Sequence, residues 1–301
     1  MGAPPGWHPV GVTEQTVLPP AGWYPDPWDA ASQRYWDGRA WTPGVAPAVV
    51  EGPAPAGDAS PAAGVVGPPR GRWGWGDVGW TSLATALLVL LPTIGLVVWV
   101  VASGATELDL TSTGGAWLVV GLQLLMWAGL AGWPLWAGRR KGPGWRQSYG
   151  FVVSGRALLI GLGGGVVLFF GMTALDVVVS VAFDIEISSA AAEMVDQMRA
   201  ATAAFTVLLV MIALGAPFVE ELSFRGLLWG AVVKRGASPW VATAIAAVPF
   251  AVIHFEPVRL LSLLYAGLLL GVIRHFGGLG SAMLAHATVN STAAVLLSLS
   301  G

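Results

Sequence analysis

The sequence predicts an all-α membrane protein, a polytopic bundle of about seven transmembrane helices, with a small Trp-rich β-type module ahead of it. Three observations carry that prediction. Hydrophobic residues make up 55% of the 301-residue chain and charged residues only 11%, against roughly 25% charged in soluble domains. Apolar stretches able to cross a hydrocarbon layer of about 30 Å recur from residue 80 onward. The basic residues between those stretches gather on one side of the layer.

Fourteen of the 21 prolines lie before residue 71, which rules out helix there and leaves little to pack. Residues 1–21 read as a disordered tail that includes His8. No apolar signal-peptide core follows Met1, so insertion is expected to use the first membrane helix. Residues 22–43, GWYPDPWDAASQRYWDGRAWTP, place Trp23, Tyr24, Trp28, Tyr35, Trp36 and Trp41 around the turn signals Tyr-Pro-Asp-Pro and Asp-Gly. Two short strands around a turn would gather these rings into the module's own core. The pattern GWYPDP, RYWDG, WT is similar to a short bacterial domain of unknown function. That likeness implies a tiny fold, assigns no chemistry and names no partner. Residues 44–79 read as an extended Pro/Ala/Gly linker to a membrane bundle at 80–301.

The expected spans are 80–103, 114–137, 156–183, 201–233, 238–255, 259–275 and 279–299. With a cytoplasmic N-terminus, Arg34, Arg39, Arg70, Arg72, Arg139, Arg140, Lys141, Arg146, Arg156, Lys234, Arg235 and Arg274 fall inside and only Arg199 and Arg259 outside. The acidic loops around Glu107 and Glu186 fall outside. The expected location is therefore multi-pass in a bacterial plasma membrane, with the lipid bilayer as its surroundings. An additional interfacial helix is expected within 184–200. Gly161, Gly163, Gly164 and Gly165 suit close helix approach, and Asp176 reads as a local hydrogen-bonding group.

Several function classes are excluded. A chain without cysteine forms no disulfide and offers no thiol nucleophile or Cys-ligated zinc. A net charge of −2 without a basic, aromatic-interleaved patch gives no reason to expect nucleic acid. Neither GxSxG nor HExxH occurs, so serine-hydrolase and zincin chemistry lack support.

One stretch concentrates the polar groups. Ala216–Gly226, APFVEELSFRG, sets Glu220, Glu221 and Arg225 inside a long apolar run. Each charge costs at least ~2.5 kcal/mol at bilayer depth, so these side chains must face protein or trapped water. Glu221 and Arg225 share one helix face at i, i+4 and can neutralise each other. Glu220 lacks a partner in its own helix, the situation expected of a proton-transfer group.

Further apolar segments add Phe250 one turn before His254 and His286 one turn before Asn290. Measured from the cytoplasmic helix ends, Glu220, His254, His286 and Asn290 lie about 10–24 Å deep, so tilt or kinks at Pro217 and Pro249 would let them meet. His275, beside Arg274, reads as an interfacial residue at a helix end. The convergent set suits water attack on an amide. Glu220 with a histidine would take and return the proton, while His286 and Asn290 would donate to the oxyanion. Alternatively, Glu220, His254 and His286 would hold zinc with an open position.

Glu220-Glu221-x-x-x-Arg225, Phe250-x-x-x-His254 and His286-x-x-x-Asn290, in that order across about residues 150–300, resemble the three motifs of the CPBP family (CAAX protease and bacteriocin-processing, also called Abi proteases). The resemblance implies an intramembrane endopeptidase acting on membrane-associated protein or peptide substrates. Glu220 and His254 would activate water, His286 and Asn290 would stabilise the oxyanion, and Glu221, Arg225 and Phe250 would support the site. A metal-independent mechanism without a cofactor is the favoured expectation, although the family name often includes "metalloprotease". A proton- or ion-coupled transporter and a non-catalytic immunity factor are the alternatives. The transporter would call for internal repeats, and the sequence has no evident internal symmetry.

Overall fold

A computed structural model describes residues 22–47, 69–104, 109, 111–187 and 189–299. The expected tail, most of the expected linker and His8 lie outside the described residues. The chain divides into two units, 1–60 and 61–301.

The first unit is a three-stranded antiparallel sheet in the order β1 (Gly22–Asp26), β2 (Asp29–Trp36) and β3 (Trp41–Pro47). The expectation of two strands is corrected here. The Asp-Gly turn returns the chain for a third strand, with Gly38 at φ 95° and the Asp37 carboxylate accepting from the Arg39 and Ala40 N–H groups at 2.7 and 2.6 Å. Trp41 meets Trp36, Tyr24 and Trp28 edge-on at 5.3–6.4 Å between ring centroids. Asp26 anchors the first turn. Burial opposes its charge, yet the Trp28 N–H and the Arg34 guanidinium, 2.9 Å away, hold its carboxyl below the usual carboxylate range.

The second unit is helical. Its elements are α1 (Trp75–Ser103), α2 (Thr113–Arg140), the short α3 (Trp145–Ser148), α4 (Gly155–Phe183), α5 (Ala190–Gln197), α6 (Thr202–Val233), α7 (Pro239–Val252), α8 (Leu260–Gly277) and α9 (Leu279–Leu299). Six of these are long and apolar enough to cross a membrane. The expected fifth span is shorter than its apolar run. α7 has 14 residues, about 21 Å at 1.5 Å per residue, and the chain turns just after it. The expected extra helix in 184–200 is α5, which buries Val195.

Local signals set the helix starts. Ser112, Ser154, Ser189 and Ser238 each cap a helix by accepting from the N–H three residues on, at 3.1–3.4 Å. Asp77 in the first turn of α1 binds Lys141 at 2.6 Å and the Trp133 indole at 3.0 Å, tying α1 to the end of α2. On α4, a methyl added at Gly161, Gly164 or Gly165 would come within 3 Å of Leu284, Ile273 or Thr288, whereas Gly163 faces open space. Three of the four glycines thus let α4 lie close against α8 and α9.

α6 runs through the interior of the bundle, against α2, α7 and α9. It leaves regular α geometry twice, with π turns at Met211–Gly215 and Leu222–Leu228. Pro217 supplies no N–H to the turn before it, which favours the first departure. The second carries Arg225.

Candidate active site

The three charged side chains of α6 have separate surroundings. Glu221 and Arg225 are fully buried and paired at 2.8 Å. Arg225 also donates to the Gly267 carbonyl on α8 at 3.0 Å, and its guanidinium lies 4.2 Å from the Phe250 ring centroid. The Glu221 carboxylate meets the Nδ1 atom of His286 on α9 at 3.0 Å. Glu220 Oε2 is 4.0 Å from the other ring nitrogen, Nε2, and, like Glu221 Oε2, is buried without a hydrogen-bond partner among the described residues. His286 therefore sits between two carboxylates.

Phe250 forms the hub on α7. Its ring meets His254 edge-on at 5.0 Å and His286 at 5.9 Å. His254 Nδ1 lies 2.7 Å from the Phe250 carbonyl, which can only accept, so Nδ1 is the donor in that bond and Nε2 is left for another partner. Among the described residues, His254 makes no hydrogen bond or ion pair with either glutamate. Asn290 donates one Nδ2 hydrogen to the Ile212 carbonyl in the first π turn, at 2.9 Å. Glu220, Glu221, Arg225, Phe250 and His286 are thus brought together. His254 is joined to them through Phe250, and Asn290 lies one turn along α9.

Among the described residues, no group of three or more His, Cys, Asp or Glu side chains is placed to hold a metal ion. Beside the site, an apolar cavity of about 290 Å³ between α4, α6 and α9 is lined by Val153, Leu158, Pro217, Phe218, Met283 and Ala287.

Arg274, in the last turn of α8 where the sequence places it, is 1% exposed. Its guanidinium donates to the carbonyls of Arg225, at 3.2 Å, and Tyr149, at 2.8 Å, and lies 4.7 Å from the Trp229 ring centroid. It holds the backbone of the second π turn, and so supports Arg225 from behind. The only available signal was an arginine closing an apolar helix, and interface anchors look the same. Neighbouring His275 packs on Trp240 at 5.5 Å.

Paired carboxylates, histidines and an arginine buried inside a multi-pass helical bundle are groups able to move protons away from bulk water. Residues 202–292 match the family described as type II CAAX prenyl endopeptidase Rce1-like. Residues 21–56 match a family described as a protein of unknown function, DUF2510. The chain carries an Rce1-like CAAX protease domain behind a DUF2510 domain and is an intramembrane endopeptidase. Neither a curated protein nor a solved structure matches it.

Proposed function

We propose that Glu220 and His254 together activate a water molecule for attack on the scissile carbonyl of a membrane-associated protein or peptide. The carrying observation is that Glu220 has no ion pair with Arg225 and holds a buried Oε2 4.0 Å from His286 Nε2, whereas Glu221, whose Oε2 is also without a hydrogen-bond partner among the described residues, gives its Oε1 to both Arg225 and His286. Glu220 takes a proton from water as the oxygen adds to the carbonyl carbon. It returns the proton to the leaving amine as the C–N bond breaks. His254 presents Nε2 to the same water. The two side chains do not bond each other, so the shared water is the link the mechanism requires.

His286 and the second N–H of Asn290 serve the oxyanion. With Nδ1–H given to Glu221, an Nε2–H donor requires the doubly protonated ring, and the flanking glutamates supply its counter-charge. One such donor is worth about 3–4 kcal/mol in the transition state. The apolar cavity beside Pro217 suits an apolar substrate segment arriving from the bilayer. The basic-residue bias supports a cytoplasmic N-terminus.

The test is terminal-fragment proteomics on native membranes from wild type and Glu220→Gln. Peptide termini present in wild type and missing in the variant are the expected result. Identical sets of termini would refute the assignment. Chelation gives the cofactor test: purified enzyme should keep most of its activity after prolonged exposure to a strong chelator, and restoration by zinc alone would make Glu220, His254 and His286 ligands.

A further inference from the structure

We infer that Arg259, acting through Asp176 and Glu256, is a positioning residue for His254. The inference rests on the reading of His254 as a catalytic group given above.

α7 ends at Val252, so His254 projects from a turn and gains no support from a continuing helix. The next residue, Phe255, adopts φ 54°, a left-handed conformation that a bulky L side chain avoids, and its side chain is 88% exposed. Nothing about an exposed phenylalanine favours that backbone, so the surrounding structure must impose it.

The clamp lies immediately beyond. Arg259 donates from NH1 to Glu256 at 2.9 Å and from Nε to Asp176 on α4 at 3.4 Å. Glu256 also accepts from the Ser189 hydroxyl, the cap of α5, at 3.4 Å. Residues 256–259, which begin two positions after His254, are thereby fastened at two points, to α4 and to the start of α5. The Phe250 carbonyl fixes the rotation of the His254 imidazole. The Arg259 clamp fixes the backbone that carries it. These groups lie at the expected outer end of the bundle, outside the Glu-Glu-x-x-x-Arg, Phe-x-x-x-His and His-x-x-x-Asn motifs. None of them contacts Glu220 or His286 in the described contacts.

Misplacing a catalytic group by about 1 Å can cost up to 100-fold in rate, so Arg259→Met should lower kcat about 10- to 100-fold and leave KM within about twofold. Glycine adopts φ 54° without steric cost, so Phe255→Gly should restore a substantial part of kcat in the Arg259→Met background. A merely structural role would give reduced folded yield without that rescue. The assay uses full-length protein in lipid nanodiscs and a synthetic peptide spanning a cleavage site mapped from the Glu220→Gln comparison. Asp176→Asn takes the charge from the link to α4, leaving at most a neutral hydrogen bond, and should lower kcat less, which keeps the test open if Arg259→Met fails to fold. Wild-type kcat in folded Arg259→Met, or in Asp176→Asn should Arg259→Met not fold, would overturn the inference. So would the absence of rescue by Phe255→Gly. His254→Gln is the control. If it cleaves like wild type, the role of His254 fails and the clamp has nothing to position. If it is inactive while Arg259→Met is normal, only the clamp fails.

Discussion

The 18-residue apolar stretches of α1 and α6 are nearly equal in mean hydropathy, 2.4 and 2.2, and both helices are long enough to cross the bilayer. Their interiors differ. α1 fully buries only Asp77 and Thr81, near its start, and beyond them is half-buried along the side that meets α2 and exposed elsewhere. α6 buries Glu221 and Arg225 completely and departs twice from α geometry around them. Hydropathy therefore identifies a span without saying whether it anchors or carries chemistry. The charges that the span tolerates, and the partners that hold them, make the distinction.

The largest stability effect should come from separating the buried pair. Glu221→Gln leaves Arg225 as a buried cation without its carboxylate, a defect of about 3–5 kcal/mol, visible as low abundance and early thermal unfolding. Glu221→Gln with Arg225→Met should recover part of that loss. Equal stability in all three proteins would remove the ion pair from the account.

Arg274→Met should come next. Two buried carbonyls lose their donor, at about 1–3 kcal/mol each, and the π turn loses its support. Thermal unfolding and cleavage should fall together, and an unchanged midpoint would deny Arg274 this role.

Close helix approach gives a smaller effect. A methyl at Gly165 would lie 2.6 Å from Thr288 Cβ and 2.9 Å from the Ala285 carbonyl, so Gly165→Ala should destabilise by about 1–3 kcal/mol. Gly163→Ala meets nothing within 4 Å and should stay within about 0.5 kcal/mol of wild type. Equal effects at the two positions would mean that α4 packs differently.

Much of this was legible in the sequence because lipid makes polar residues conspicuous. The i, i+4 spacing gave the Glu221–Arg225 pair, and the three short motifs marked the helices that carry the site's polar groups. Other features leave no local signature. Arg274 is held by backbone carbonyls, which any residue can supply, so its partners were invisible. The apolar run through residue 255 concealed the end of α7, since a left-handed Phe255 follows from tertiary fastening rather than from its own propensity. Pro217 hinted at a distortion in α6, but not at a π turn whose Ile212 carbonyl engages Asn290. The third strand, Trp41–Pro47, was hidden because its Pro43, Gly44 and Pro47 look like the start of the Pro/Ala/Gly linker.

The most direct measurement compares Glu220→Gln and Glu221→Gln in the same membranes, scoring cleavage and thermal stability together. The account predicts that Glu220→Gln folds like wild type and loses cleavage by at least about 100-fold, whereas Glu221→Gln is destabilised whatever its residual activity. Wild-type cleavage by a folded Glu220→Gln protein would contradict it.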